Sequence, residues 1–316
     1  MVPVKMKKII FLIIVIILIV GCADLEKITG KEEEKLPERA KIRGSKGLKI
    51  EFVKNAPPDI VKENRDNIPL AFKVENKGAS EITNGIINLV GLEKDYIDVT
   101  ETIPVSIPTL TPRTLKAAIG GIDTVFLTLR TKAVEEVTKA HDTRIVAQAC
   151  YDYETKAYPK ICIDPDVYDL KIKEKACRTY DVSLTTQGAP VAVTKVEINM
   201  IPTEQESVTP NFIIYVNNVG GGSIIKQGTY QSFCAGGNIE RETLNTISIS
   251  ATMDGVALEC DPSEITITDD LNYFRCEYQS IPMKEDAYET FLEITLNYGY
   301  SEIIYKDIKI EREMPI

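Results

Sequence analysis

Tryptophan is missing altogether from this chain of 316 residues, and histidine occurs once, at position 141. A single imidazole leaves little from which to build a histidine relay or a multi-histidine metal centre. The lack of tryptophan removes the commonest platform for stacking sugar rings. No CxxC pair, no GxSxG elbow and no GxxxxGK[ST] loop occurs, which sets aside ribbon-type zinc sites, α/β-hydrolase chemistry and Walker-type phosphate binding. Basic residues are outnumbered 37 to 47, for a formal net charge of −10. A surface of that sign suits neither nucleic acid nor an anionic membrane face, both of which need basic patches. Helical periodicity is scarce too: only AVEEVTKA (133–140) has helical character, about two turns of it.

What is there begins at the N-terminus. Lys5, Lys7 and Lys8 precede Ile9–Val20, which holds no polar residue, and Gly21-Cys22 follows. Basic residues, a short apolar run and a small residue have the shape of a secretory signal. Ile19-Val20-Gly21-Cys22 looks like a lipobox, in which the cysteine is cleaved free and lipidated, so Cys22 is the candidate lipid-attachment residue. The run is short against the roughly 20 residues of a permanent span. An uncleaved signal anchor is the second reading, and both put the rest of the chain outside, since the lysines stay inside. Residues 1–21 hold three lysines and no acid, so their removal takes the 37 basic residues to 34 against 47 acids, a net of −13. Residues 22–46 read as a charged tether.

Six further cysteines, Cys150, Cys162, Cys177, Cys234, Cys260 and Cys276, are an even number in a chain expected to be exported, and imply disulfides. Six cysteines allow fifteen pairings. Cys150 and Cys162 flank two alternating stretches around Glu154-Thr155-Lys156, which reads as a hairpin that sets them opposite one another. Cys260 and Cys276 lie on two neighbouring strand-like runs. The expected set is therefore Cys150–Cys162, Cys260–Cys276 and, by remainder, Cys177–Cys234.

The exported part is β in texture. LKIEFV (48–53), IPLAFKVEN (68–76), GIINLVG (85–91), TVFLTLR (124–130) and TRIVAQACYDY (143–153) alternate or run β-branched, punctuated by Gly, Pro, Asn and Asp. A weak repeat joins two halves. GLKIEF followed by Asn67–Ser80 matches VTKVEINMIP followed by Thr209–Ser223, and each half closes on a tyrosine-bearing segment. A period of roughly 130 residues implies two sandwiches in series. The division expected is 1–21 signal peptide or anchor, 22–46 tether, 47–165 first sandwich, 166–176 linker and 177–316 second sandwich. The linker acids Asp164, Asp166 and Asp169 are expected to be exposed.

A strand, then Asn-x-Gly, then a polar turn resembles the secreted Ig-like modules grouped with CARDB-type and NEW3-like domains of archaea and bacteria. The match covers Ile68–Ser80 and Asn211–Ser223, with Asn76-Lys77-Gly78 and Asn218-Val219-Gly220 as the motif. CYDYETKAYPKICIDPD and QGAPVAVTKVEINM look like exported archaeal proteins. The resemblance implies an Ig-like fold and a surface role, with no catalytic residues to carry over. Together with the repeat and the N-terminal segment, the fold class expected is all-β, two Ig-like antiparallel β-sandwiches in series behind an N-terminal apolar signal or anchor helix.

Other candidates weigh towards structure. His141 follows the helical stretch and has no nucleophile motif to serve, so a solvent-facing turn residue is expected. Asp164, Asp166, Asp169 and the pair Asp269-Asp270 could offer oxygen to calcium, but neither group matches the spaced DxDxDG loop. Gly220–Gly222 and Gly236-Gly237 read as turns and a bulge. Tyr151, Tyr153 and Tyr158 are either a core pair with one exposed ring or an aromatic contact surface. The function expected is a non-catalytic binding, adhesion or envelope-scaffold protein, anchored at the cell membrane with its folded part on the extracellular face. No cofactor and no metal is expected. The expected partners are a surface protein or envelope polymer and the membrane itself, not nucleic acid. The alternatives are an all-β extracellular hydrolase or a transporter-associated lipoprotein.

Overall fold

The computed structural model describes residues 36–135, 138–172, 174–237 and 240–313. Cys22, the signal or anchor segment and the first part of the tether lie outside the described residues. No described helix is long and apolar enough to cross a membrane. Pro37–Ile316 forms one compact unit, and it is all-β.

The first half contributes β1 (Leu48–Phe52), β2 (Ile60–Lys62), β3 (Ile68–Asn76), β4 (Ile86–Val90), β5 (Ile97–Val99), β6 (Val105–Ser106), β7 (Ile122–Thr131), β8 (Ala140–Ala157) and β9 (Lys160–Ile163). The second contributes β10 (Val182–Ser183), β11 (Val191–Pro202), β12 (Ser207–Asn218), β13 (Ser223–Ile225), one short helix α1 (Tyr230–Cys234), β14 (Thr246–Met253), β15 (Val256–Ala257), β16 (Glu259–Asp261), β17 (Glu264–Thr266), β18 (Tyr273–Glu277), β19 (Ile281–Pro282) and β20 (Tyr288–Glu311). Alternation of apolar and polar residues makes these strands one-sided. From Thr290 to Tyr298, β20 buries every second side chain.

Each half supplies a covering sheet, β1-β3-β7-β5 from the first and β10-β11-β12-β18-β16 from the second. Between them they face one ten-stranded sheet whose main path is β15-β14-β20-β8-β4-β6, and buried apolar side chains from all three sheets join in one large cluster. The expectation of two sandwiches in series is corrected here. The two halves lie side by side in a shared sheet, because β8 and β20 pair antiparallel from Ala140↔Glu311 to Ala157↔Ile294. Two long terminal strands left unpaired would be open edges, and pairing them removes both.

The repeat itself is real, and the structure makes it sharper than the sequence did. Asn76 Oδ1 accepts the Gly78 amide (2.9 Å), and its Nδ2 donates to Ser80 O (2.7 Å). Asn218 does the same with Gly220 (3.2 Å) and Gly222 (2.8 Å). Ile87 faces Ala149 on β8 as Ile249 faces Leu296 on β20. The spacing is 142 residues at these asparagines and 147 along the long strands, from Tyr151 to Tyr298, rather than roughly 130.

Four tyrosines lock the seam. Tyr151 pairs across with Tyr300, and Tyr153 with Tyr298, and all four are at most 3% exposed. Their rings touch edge-on or tilted, with centroids 5.8–6.3 Å apart, a favoured aromatic geometry. Each hydroxyl accepts a backbone amide of its own half's covering sheet or turn: Leu48 N to Tyr151 (3.0 Å), Ser80 N to Tyr153 (3.1 Å), Val191 N to Tyr298 (3.3 Å) and Gly222 N to Tyr300 (2.6 Å). Burial raises the Tyr153 and Tyr300 phenols to about 12 and lifts Tyr151 and Tyr298 well above the ordinary value. They are neutral donors and acceptors at any physiological pH.

Three disulfides use all six cysteines, but only Cys260–Cys276 matches the expected pairing. The other two bridges are Cys150–Cys234 and Cys162–Cys177. The reason is that β8 does not turn at Glu154-Thr155-Lys156. It runs on to Ala157, the chain turns at Tyr158-Pro159, and β9 then pairs not with β8 but with the start of β20, Ile163 opposite Tyr288. Cys150 is therefore far along the ribbon from Cys162. It sits on the outer face of the ten-stranded sheet, where α1 carries Cys234 onto it and where Ile86, Ile225 and Tyr230 complete a small apolar cluster. That bridge closes the longest loop of the three, a sequence separation of 84, and on the chain-entropy account contributes about 4.5 kcal/mol.

Two other expectations change. No helix covers the described part of 133–140: Val134 is buried with its amide on Glu63 Oε2 (2.7 Å), and Ala140 already opens β8. The last part of the expected tether belongs to the fold. Glu38–Lys41 form one 3₁₀ turn, Arg39 bonds Ser80 and ion-pairs with Glu154 (2.8 Å), and Ile42 is 5% exposed.

Candidate functional site

The stretch expected as an exposed linker is a built loop. Cys162–Cys177 closes it at the base, and a single ammonium fills its interior. Lys175 Nζ lies 2.7 Å from Asp164 Oδ2 and 2.5 Å from Asp169 Oδ1, with the Asp166 carbonyl at 2.7 Å. Asp166 in turn accepts the amides of Leu170 (2.9 Å) and Lys171 (3.1 Å). Lys171 turns inward as well, donating to the carbonyls of Lys284 and Glu285. Asp164 and Asp166 are buried, not exposed as expected, and Asp169 alone is open. The oxygen cluster that could have suited calcium is thus centred on the chain's own cation.

Burial alone would lower the Lys175 ammonium, but hydrogen bonds to Asp164 and Asp169 and their charges outweigh it and hold its pKa above the ordinary lysine value. The Leu170 amide, then that of Lys171, holds the Asp166 carboxyl below the usual range. Lys175→Ala should therefore leave the Asp164 and Asp169 carboxylates without their counter-ion and the Asp166 carbonyl without its donor. Cleavage of the loop by a lysine-independent protease in the native state is expected to speed up on the order of tenfold, with the global melt nearly unchanged. Equal cleavage rates would show that the cage does not order the loop.

With Asp164, Asp166, Lys171 and Lys175 engaged inside, the loop shows apolar side chains to solvent beside the exposed Asp169 and Glu174. Tyr168, Leu170 and Ile172 are 60%, 78% and 105% exposed. A small cleft of about 290 Å³ lies between the Asp164–Lys175 cage and Asp286. Nothing in the residue order marked this inversion, because it depends on where Lys171 and Lys175 point.

A larger, open cleft of about 700 Å³ lies at the far end of the β8–β20 ribbon, lined in part by Asp59, Glu93, Asp142, Arg144, Asp307 and Lys309. His141 stands beside it. It is not a free turn residue but lies on β8, stacked on Tyr96 at 3.7 Å and bonded through Nε2 to Glu93 Oε2 (2.7 Å). Thr143 donates to the same carboxylate (3.1 Å) and not to the imidazole, so the hydroxyl–imidazole contact of nucleophilic catalysis is not formed by this pair. Arg144 is held bidentate by Asp307 (2.6 and 3.1 Å) above the Tyr305 ring, and Lys306 by Asp59 (2.9 Å). These charges are mutually paired rather than convergent on a common point.

The remaining sequence candidates are structural. Tyr151 and Tyr153 are the core pair, and Tyr158 is half-buried. A Cβ on Gly220 would stand 2.4 Å from the Tyr300 hydroxyl, so this glycine allows a close approach. Gly236 ends α1 at φ +73°. Asp269 and Asp270 are exposed turn residues.

No known family's sequence profile matches the chain, and no curated protein matches it in sequence. Among solved structures, a DUF4466 family protein from Parabacteroides merdae ATCC 43184 aligns with 80% of this chain and 99% of its own, at 8% identity and a TM-score of 0.16. A structure described as BspA_C_WT aligns with 84% of this chain and 98% of its own, at 9% identity and a TM-score of 0.11. Likeness at that level leaves the class to be taken from the chain's own architecture: an all-β, disulfide-bonded sandwich protein.

Proposed function

We propose that this chain is an exported, non-catalytic binding protein of the cell surface, held at the membrane through its N-terminal segment. In this reading Cys22 or the apolar run before it is the anchor, the two repeated halves are Ig-like modules fused along their last strands, and the protein serves adhesion or envelope assembly. The observation that carries the reading is the use of all six downstream cysteines in three disulfides, a state that belongs to oxidising compartments. The rigid seam fits a scaffold better than a hinge, since the four tyrosines tie both halves to one sheet.

The test is made on intact cells. A membrane-impermeant protease or amine label is expected to reach the protein, non-reduced peptide mapping to return the three bridges, and Cys22→Ser to change the mass of the membrane-bound form. Protection of the protein in intact cells together with free thiols would overturn surface placement. An unchanged mass and membrane fraction in Cys22→Ser would replace the lipid by a retained signal anchor.

A further inference from the structure

A solvated loop ordinarily points its charges out and its apolar groups in. The loop closed by Cys162–Cys177 departs from this: Asp169, itself paired with Lys175, and Glu174 stay exposed, but its other described charges turn in and three apolar side chains turn out. Lys175 is held by Asp164 and Asp169, Lys171 by two backbone carbonyls, and Asp166 by two backbone amides, while Tyr168, Leu170 and Ile172 face solvent. We infer that this tip dips into the interfacial layer of a lipid bilayer, with Leu170 and Ile172 at the acyl boundary and the Tyr168 ring at headgroup level.

The choice of a bilayer over a protein pocket follows from the loop's polar groups. Specific protein contacts combine apolar anchors with directional hydrogen bonds and a polar rim, whereas Lys171, Lys175 and Asp166 are engaged within the fold and the exposed Asp169 carboxylate is already paired with Lys175. A fluid acyl layer needs no directional partner. Tyrosine is also the side chain suited to an apolar–aqueous boundary, because one end is apolar and the other wet. Bracing by the disulfide and the ion cage means little ordering is left to be lost on contact.

Reach is the second argument. Pro37 follows Cys22 by fifteen positions, and a chain of that length spans at most about 50 Å. On the surface-anchored reading above, on which this inference rests for its supply of membrane, a bilayer is within the chain's own range. With a net charge of −10 over the whole chain, attraction to anionic lipid would be opposed, so the contact is apolar and should form on zwitterionic lipid and persist in salt.

The absence of tryptophan makes the test direct. Leu170→Trp and, separately, Ile172→Trp place one reporter in the full-length chain at sites exposed enough to leave the fold undisturbed. Phe126→Trp, on the outer face of the first covering sheet where the native side chain is 71% exposed, is the reference. Each variant is mixed with phosphatidylcholine vesicles carrying brominated acyl chains, floated, and read by fluorescence. The expected result for Leu170→Trp and Ile172→Trp is a blue-shifted indole signal, quenched several-fold more than that of Phe126→Trp and unchanged at about 0.5 M salt. Protein that floats with the two loop reporters quenched no more than the reference would keep the anchor and overturn the loop contact. Protein that does not float would overturn both.

Discussion

Tyr298→Ala is expected to cost about 4 kcal/mol of stability, the middle of the range for truncating a buried aromatic, and to do so in one cooperative transition. Tyr298 is fully buried, packs against Tyr153 and Tyr300, and its hydroxyl meets both Val191 N and Thr155 Oγ1. Its removal opens a void at the line where the two halves meet, so the loss is felt by both. Tyr298→Phe keeps the ring and strands the Val191 amide, for roughly 1–3 kcal/mol. Gly78→Ala attacks the same seam from the turn side, since its Cβ would fall 1.8 Å from the Tyr153 hydroxyl and 2.6 Å from the Gly188 carbonyl. Tyr273→Ala, on an exposed side chain of β18, is the control and should stay within about 0.5 kcal/mol. Urea denaturation followed by circular dichroism measures all four. A Tyr298→Ala variant within about 1 kcal/mol of the parent would mean that the tyrosines do not hold the seam. Two resolved transitions would mean that the halves fold independently after all.

Much of this architecture was legible because it is written locally. Alternation gave the strands, and Asn76-x-Gly78 against Asn218-x-Gly220 gave the repeat, since an asparagine that bonds two residues on and a glycine that tolerates close approach are both needed at that corner. What was not legible depends on pairs remote in sequence. Glu154 and Lys156 look like turn residues, yet they are only the outward positions of a strand whose inward ones are Tyr153, Thr155 and Ala157. The turn chemistry lay at Pro159. That one misplacement put Cys150 opposite Cys162 and so misassigned two bridges. The pairing of β8 with β20 joins residues such as Tyr151 and Tyr300 that leave no trace in each other's neighbourhood. The charge run at 166–176 looked like a linker for the same reason. Whether Lys175 is solvated or caged depends on the disulfide that brings it back over Asp164. Among the site residues, the six cysteines were recognised as bonded and the exposed tip at Tyr168, Leu170 and Ile172 was not.

The repeat also marks a place where the seam is poorly satisfied, and it leads to a pH dependence. Shifted by 147 residues, Thr155 corresponds to Glu302: Thr155 faces Leu296 as Glu302 faces Ala149. Thr155 Oγ1 bonds the Val191 carbonyl (2.7 Å) and the Tyr298 hydroxyl (2.8 Å). Glu302 instead leaves Oε1 buried without a hydrogen-bond partner, and burial pushes its carboxyl up to about 7, a rise that Lys46 only partly offsets. A carboxyl whose folded pKa stands above its unfolded value favours the fold while protonated. That contribution is fully present below about pH 4.5 and is lost as pH rises through about 7. The loss is about 2–3 kcal/mol by the end of that window. Glu302→Thr, which copies the other half, should raise the melting temperature by about 5 °C at pH 8 and change it little at pH 4.5, where the native carboxyl is already neutral. Glu302→Gln should show the same trend without the change of shape. Melts at a series of pH values read the difference between variant and parent. A difference equal at pH 4.5 and pH 8 would mean that Glu302 does not titrate inside the fold, and that the seam carries no ionisable weak point.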